Sequence, residues 1–301
     1  PAVRTAPCGG GRRLRDISVW HATIWPVPNS RPAPLVVAHR GSSATYAEMT
    51  LGAYRAALAE GADGLECDLR LTVDWHLVAV HDRLVDRTAN GTGSVSAMSL
   101  AQLRALNYGA WKYAAPGVSP EVAALAADPE NSALTTLADL IGLAVDSGRE
   151  VALVLETKHP TRFVGAVERA VAELLDEHDI GGRPGTGRPW ATVMSFSTLA
   201  VRRFARLRPD IPVVQLVDAG APYRYVLSTT DAKAAAGLDI AILRSSPEIV
   251  AEQRALGRQV YVWTVDADAD VALCLDLGVD AIITNRPGPV RELVRAHVGA
   301  A

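Results

Sequence analysis

The chain has 301 residues, 49% of them hydrophobic, enough for one large buried core, and a single α/β barrel of typically ~250 residues fits without a second domain. A formal net charge of -3 gives no footprint for nucleic acid, whose binders carry a strongly basic face, so attraction for any anion must come from a few local cations. The 3 cysteines, Cys8, Cys67 and Cys274, are odd in number and far apart, which argues against a disulfide framework, and no run approaches the roughly 18 apolar residues of a membrane span.

Residues 1–34 are rich in Gly, Pro and Arg and read as an irregular leader before a barrel over 35–301. They lack the apolar stretch of roughly 7–15 residues that marks a signal peptide, so a cytoplasmic location is expected. The first strand, 35–39, brings His39, Arg40 and Gly41 to its carboxyl end. Thr45-x-x-Glu48 reads as a capping box opening a helix with Leu51, Tyr54 and Leu58 on one face, and Gly61 stops it.

In the second strand, 64–68, side chains alternate, so Glu66 and Asp68 share one face while Leu65, Cys67 and Leu69 share the other. Cys67 is then a small buried apolar residue. The following RLTVDWHLVAVHD is two extended runs joined around 73–76, a hairpin that returns His81 toward the level of Asp68. A long excursion over about 83–134 holds GTGSV, a short helix at SLAQLRAL and an irregular stretch over 107–131. Connections this long inside a compact domain are lids or insertions, and this one should sit over the mouth and shape substrate choice.

From Thr136 onward helices and strands alternate. Ser197 opens one helix, a helical region falls at about 223–236, and Ser246-Pro247 caps and starts a helix that Gly257 closes. Eight strands result, 35–39, 64–68, 151–156, 192–196, 213–217, 239–243, 260–265 and 281–284, with the His81 segment as a hairpin arm above them. Eight strand–helix units predict a (β/α)8 TIM barrel with its site at the carboxyl ends of the strands.

Two carboxylates on one strand face are hard oxygen ligands that suit Mg2+ or Ca2+ better than zinc, and Glu156, ending the strand LVLE, can add a third. His39 and His81 can flank such a cation and divide general acid and general base work. Arg40 and Lys158 are placed either to neutralise a bound anion or to pair with the site carboxylates. Trp263 is either an apolar wall at the mouth or barrel packing.

The AHRG start, the E-x-D strand, VAVHD followed by DRT and GTG, and then LVLETK and YVWTVD, in this order from about Leu35 to about Pro289, resemble the glycerophosphodiester phosphodiesterase family, among the phosphatidylinositol-phospholipase-C-like barrels. The resemblance implies metal ligands at Glu66, Asp68 and Glu156, a catalytic pair at His39 and His81, and substrate contacts from Arg40, Lys158, Trp263 and Glu48. It implies one divalent cation, Mg2+ or Ca2+, and a small-molecule substrate, a glycerophosphodiester cleaved to glycerol 3-phosphate and an alcohol. Alternatives are a lysophospholipase D or phospholipase-C-like lipid phosphodiesterase, or an inactive barrel that binds phosphate compounds. One departure stands out: where the family carries Pro-Glu-Asn-Thr, this chain reads Ala47-Glu48-Met49-Thr50, which keeps the acid and removes an amide that could order the site.

Overall fold

The computed structural model describes residues 33–182 and 184–300, and these belong to one compact unit. The expected leader, apart from its last two residues, lies outside the described residues, as does Cys8. Nine strands are found among the described residues: β1 (Leu35–Ala38), β2 (Gly64–Leu71), β3 (Leu77–Ala79), β4 (Ala152–Thr157), β5 (Trp190–Ser195), β6 (Val213–Val217), β7 (Ala235–Asp239), β8 (Val260–Trp263) and β9 (Ala281–Thr284). β1 pairs in parallel with both β2 and β9, and the order β1-β9-β8-β7-β6-β5-β4-β2 therefore closes into an eight-stranded parallel barrel. β3 runs antiparallel along the far end of β2, with Leu69 opposite Ala79 and Leu71 opposite Leu77, which is the expected hairpin arm.

Period-2 alternation builds two cores from each strand. Val37, Val154, Met194, Val214, Leu216 and Ile283 fill the barrel interior. The alternate residues, such as Leu65, Leu69, Leu153 and Leu155, are fully buried against the surrounding helices, each burial stabilising by roughly 1.5–3 kcal/mol. Near the carboxyl ends the inward positions stop being apolar. Register places Glu66 beside Val154 and Asp68 beside Glu156, so the acids are stacked on one inward face above the packed interior. No helix among the described residues is long and apolar enough to cross a membrane.

Four local expectations are corrected. The segment 239–243 is not a strand: β7 occupies Ala235–Asp239, and Ile240–Ser245 is a helix whose first turn is capped by Asp239, which accepts from the Ala241 N–H at 2.8 Å. The helical region before it accordingly ends at Thr229. Small residues fit the barrel here because a Cβ on Gly237 would lie 2.6 Å from Leu216 Cδ2. Thr45-x-x-Glu48 caps no helix. The helix is Leu51–Ala59, capped by Thr50, whose Oγ1 accepts from the Ala53 N–H at 3.3 Å, and Glu48 is engaged elsewhere. The helix after Ser246-Pro247, Glu248–Ala255, receives no side-chain cap.

The excursion is more ordered than its sequence reads. Its supposedly irregular part contains short helices Ala110–Tyr113 and Pro120–Ala124 and two 3-10 turns, because Ser119 and Asp128 each cap a following turn that starts with proline. Val85, Val95, Leu103, Tyr108 and Leu134 form a small core with Val78 and Val80 of the hairpin. The Ala47 N–H donates to Tyr113 Oη at 2.8 Å and Lys112 Nζ donates to Ser43 O at 2.7 Å, which ties the excursion to the loop after β1 at the barrel mouth.

Candidate active site

Ligand oxygens of Glu66, Asp68 and Glu156 lie within 4.8 Å of one another, and all three residues are buried. Burial, then the charge of Asp68, pushes Glu66 well above the usual carboxylate range and raises Glu156 to about 8. Burial also acts on Asp68, but Lys158 and Arg40 override it and hold this carboxyl below its usual range. One dominant anion flanked by two reluctant ones is the electrostatic state expected when three buried carboxylates share too little positive charge.

Arg40 reaches this cluster through a left-handed backbone, φ 57, followed by Gly41 at φ 84. Glycine is required at 41, since a Cβ there would meet Ala53 at 2.7 Å. The turn aims both the Arg40 N–H, which donates to Glu66 Oε2 at 3.0 Å, and its guanidinium, with Nε 2.9 Å from Asp68 Oδ2, at the acids. Lys158 Nζ sits 2.8 Å from Asp68 Oδ1 and 2.7 Å from Glu156 Oε1. Both cations expected to meet phosphate are thus paired with the site carboxylates. Glu48 bridges Arg40 Nη1, at 3.1 Å, to the forked guanidinium of Arg87, at 2.7 and 2.9 Å. That engagement explains its absence from the helix cap.

The two histidines have unlike partners. His39 Nδ1 is 2.7 Å from Asn285 Oδ1, and Asn285 is oriented by donating its amide to Asp266 Oδ2 at 2.6 Å. The amide oxygen can only accept, so His39 carries its proton on Nδ1 and presents the Nε2 lone pair, 4.0 Å from Glu66 Oε2. Burial, reinforced by the Arg40 charge, pulls its pKa down to about 4. His81 Nδ1 instead lies 2.6 Å from Asp82 Oδ1. Burial lowers the pKa of His81 while the Asp68 charge opposes that; Asp82 is held down to about 2, despite some burial, by Arg87 and His81. The His81 carbonyl accepts from Arg70 Nε and Nη2 at 3.0 and 2.7 Å.

Trp263 follows the inward register of β8 and meets Phe196 edge-on, ring centroids 5.4 Å apart, while Phe196 is 41% exposed and lies 6.0 Å from Lys158 Nζ. Trp263 packs against the barrel interior and, through its contact with Phe196, reaches the carboxyl end of the barrel.

Every expected site residue is brought to one end of the barrel. Asp82, Asn285, Arg87, Arg70 and Phe196 were not anticipated. Asp82 was available as the neighbour of His81 in VAVHD, and Asn285 as the polar residue ending AIIT, but nothing local links Arg87 to Glu48 across 39 positions.

A (β/α)8 barrel with three buried carboxylates, two histidines and two cationic side chains crowded at its carboxyl-end mouth defines an enzyme barrel. Residues 39–289 match the glycerophosphoryl diester phosphodiesterase family; the chain belongs to it, and its reaction class is phosphodiester hydrolysis. It is 44% identical over 258 residues to a Mycobacterium tuberculosis protein named "Probable glycerophosphodiester phosphodiesterase 1", covering 85% of this chain and 90% of that one. It is 32% identical over 273 residues to a glycerophosphodiester phosphodiesterase of Bacillus subtilis, covering 87% of each. Among solved structures, an Oleispira antarctica phosphodiesterase in complex with its product sn-glycerol-3-phosphate superposes with a TM-score of 0.70 at 24% identity, covering 87% of this chain and 97% of that one, which establishes the shared fold.

Proposed function

We propose that this enzyme hydrolyses glycerophosphodiesters to glycerol 3-phosphate and an alcohol, with one divalent cation, Mg2+ or Ca2+, held by Glu66, Asp68 and Glu156, and with His39 as general base and His81 as general acid. The observation that carries this reading is the convergence of three buried carboxylates beneath two histidines whose partners differ. A cation fits the donors: all are hard oxygens whose ligand atoms lie within 4.8 Å of one another, and the buried Asp68 oxygens are met by the ion-paired Lys158 and Arg40 without an aligned hydrogen bond among the described residues. When bound, it would polarise a phosphoryl oxygen and offset charge that builds there.

The chain's own groups supply the rest. His39, held neutral by burial and the Arg40 charge and oriented by Asn285, removes a proton from the attacking oxygen through Nε2. His81 donates a proton to the departing alkoxide, and the Asp82 carboxylate at its other nitrogen favours the charged ring that this requires. Arg40 and Lys158 present cationic donors to the phosphoryl oxygens, Glu48 holds Arg40 in place, and Trp263 with Phe196 walls the glycerol side. The product held by the Oleispira antarctica barrel supports the substrate assignment.

The test is release of glycerol 3-phosphate from glycerophosphocholine with added Mg2+ or Ca2+ and after chelation. Cation-dependent release is the expected result; no release under any of these conditions overturns the reading.

A further inference from the structure

Beside the catalytic cluster lies a cavity of about 540 Å³, between the hairpin and excursion on one side and the loop after β4 on the other. Its lining includes Arg70, Arg83, Lys158 and Arg162, together with the hydroxyls of Ser94, Ser96 and Thr161, and no carboxylate lines it among the described residues. Lys158 shares its charge with Asp68 and Glu156, but three further guanidiniums, Arg70, Arg83 and Arg162, around one hollow on a chain with net charge -3 are a local reversal of sign that folding alone does not require.

No carboxylate lies within ion-pair distance of Arg83 or Arg162 among the described residues; the Arg162 guanidinium lies 5.6 Å from the Phe163 ring, and Phe163 in turn meets Trp75 of the hairpin tip at 5.0 Å. These contacts hold the two walls together. The cavity also adjoins the site on one particular side. Lys158 is common to both, and Arg70, two residues beyond Asp68 on the same strand face, grips the His81 carbonyl. It is therefore the neighbour of the proposed acid, where the leaving alcohol must extend.

We infer that this cavity receives a second phosphate, carried by the leaving alcohol, so that the preferred substrates are glycerophosphodiesters whose headgroup is itself phosphorylated. The inference rests on the proposed phosphodiesterase reading and adds its substrate class. Guanidinium forks match phosphate oxygens in pairs, and hydroxyls complete the shell. The bond broken is unchanged; the second phosphate anchors the alcohol beyond it.

The experiment compares kcat/KM for three diesters: glycerophosphoglycerol, the same compound phosphorylated on its leaving glycerol, and glycerophosphocholine. Wild type should favour the phosphorylated compound over glycerophosphoglycerol by roughly tenfold or more, mostly through KM, since hydrogen bonds to charged groups discriminate on that scale. The double variant Arg83→Ala/Arg162→Ala should lose that preference, and Arg83→Lys/Arg162→Lys should restore part of it; circular dichroism confirms that both fold. A wild type that cleaves glycerophosphocholine but shows no preference overturns the subsite alone, as does a preference that survives the double alanine change. A cavity for free phosphate would give that same lack of preference, with inorganic phosphate altering cleavage of all three diesters alike. A wild type that cleaves none of the three overturns both readings.

Discussion

His39 Nδ1 lies 2.7 Å from Asn285 Oδ1, a contact across 246 positions that fixes which ring nitrogen faces the acids. With burial holding the imidazole pKa near 4, the ring is neutral over the whole physiological range and its Nε2 lone pair is free to accept a proton. A base must be unprotonated, so the acidic limb of kcat/KM should lie well below the ordinary histidine value. Asn285→Asp places a carboxylate on Nδ1, favours the protonated ring and should move this limb to higher pH by roughly one unit or more, with activity lost sooner as pH falls. Paired pH–rate profiles decide it; superimposable acidic limbs would remove Asn285 from control of His39.

Glu66→Gln and Asp68→Asn each withdraw one anionic ligand from the cluster. Because a bound cation contributes several kcal/mol of charge stabilisation, turnover should fall roughly 10²-fold or more in either variant. A second readout is independent of activity: cation at about 100 times its Kd stabilises the wild type by ~2.7 kcal/mol, and the rise in Tm should shrink or vanish in the variants. Full turnover of either variant in chelator would exclude these carboxylates as ligands.

The histidine roles separate by leaving group. General acid assistance contributes roughly 10²- to 10⁴-fold only where a poor leaving group must be protonated. His81→Ala should therefore be far less impaired on an activated nitrophenyl phosphodiester than on glycerophosphocholine, whereas His39→Ala should be impaired on both. Selective rescue of His39→Ala instead would reverse the assignment, and rescue of neither would leave both as positioning residues.

Met49 holds a left-handed backbone, φ 59, that asparagine adopts more readily, yet its side chain is 4% exposed and packs in the main core. The conformation costs an ordinary residue roughly 1–2 kcal/mol, while burying methionine stabilises by about 1.5–3 kcal/mol. Lost burial outweighs relieved strain, so Met49→Asn should lower stability by ~1 kcal/mol. Urea unfolding measures this, and a raised midpoint at unchanged slope would show that backbone strain dominates.

Strand alternation made the acids legible before any fold was known. Glu66 and Asp68 interrupt a strand whose other face is Leu65, Cys67 and Leu69, and no arrangement of a buried strand hides that change of chemistry. Strand β7 was misplaced for the same physical reason: Ala235, Ala236 and Gly237 carry little apolar signal, while the adjacent Ile240, Ile242 and Leu243 carry much. The strand lies where small side chains clear Val214 and Leu216, a steric demand made by neighbours distant in sequence. Glu48 likewise matched a capping pattern in its own neighbourhood, but two guanidiniums offered it a charge-assisted partnership stronger than one cap hydrogen bond.

The sequence by itself determined the barrel, the level at which its interior turns acidic, and the family, because period-2 patterning and motif order are local properties of the chain. Tertiary structure alone decided which histidine has an amide and which a carboxylate at its second nitrogen, since Asn285 reaches His39 only when β9 closes against β1. It also decided that Arg70, Arg83, Lys158 and Arg162 surround one hollow, because charges separated by tens of residues acquire a common field only when the excursion and the loop after β4 fold onto the same end of the barrel.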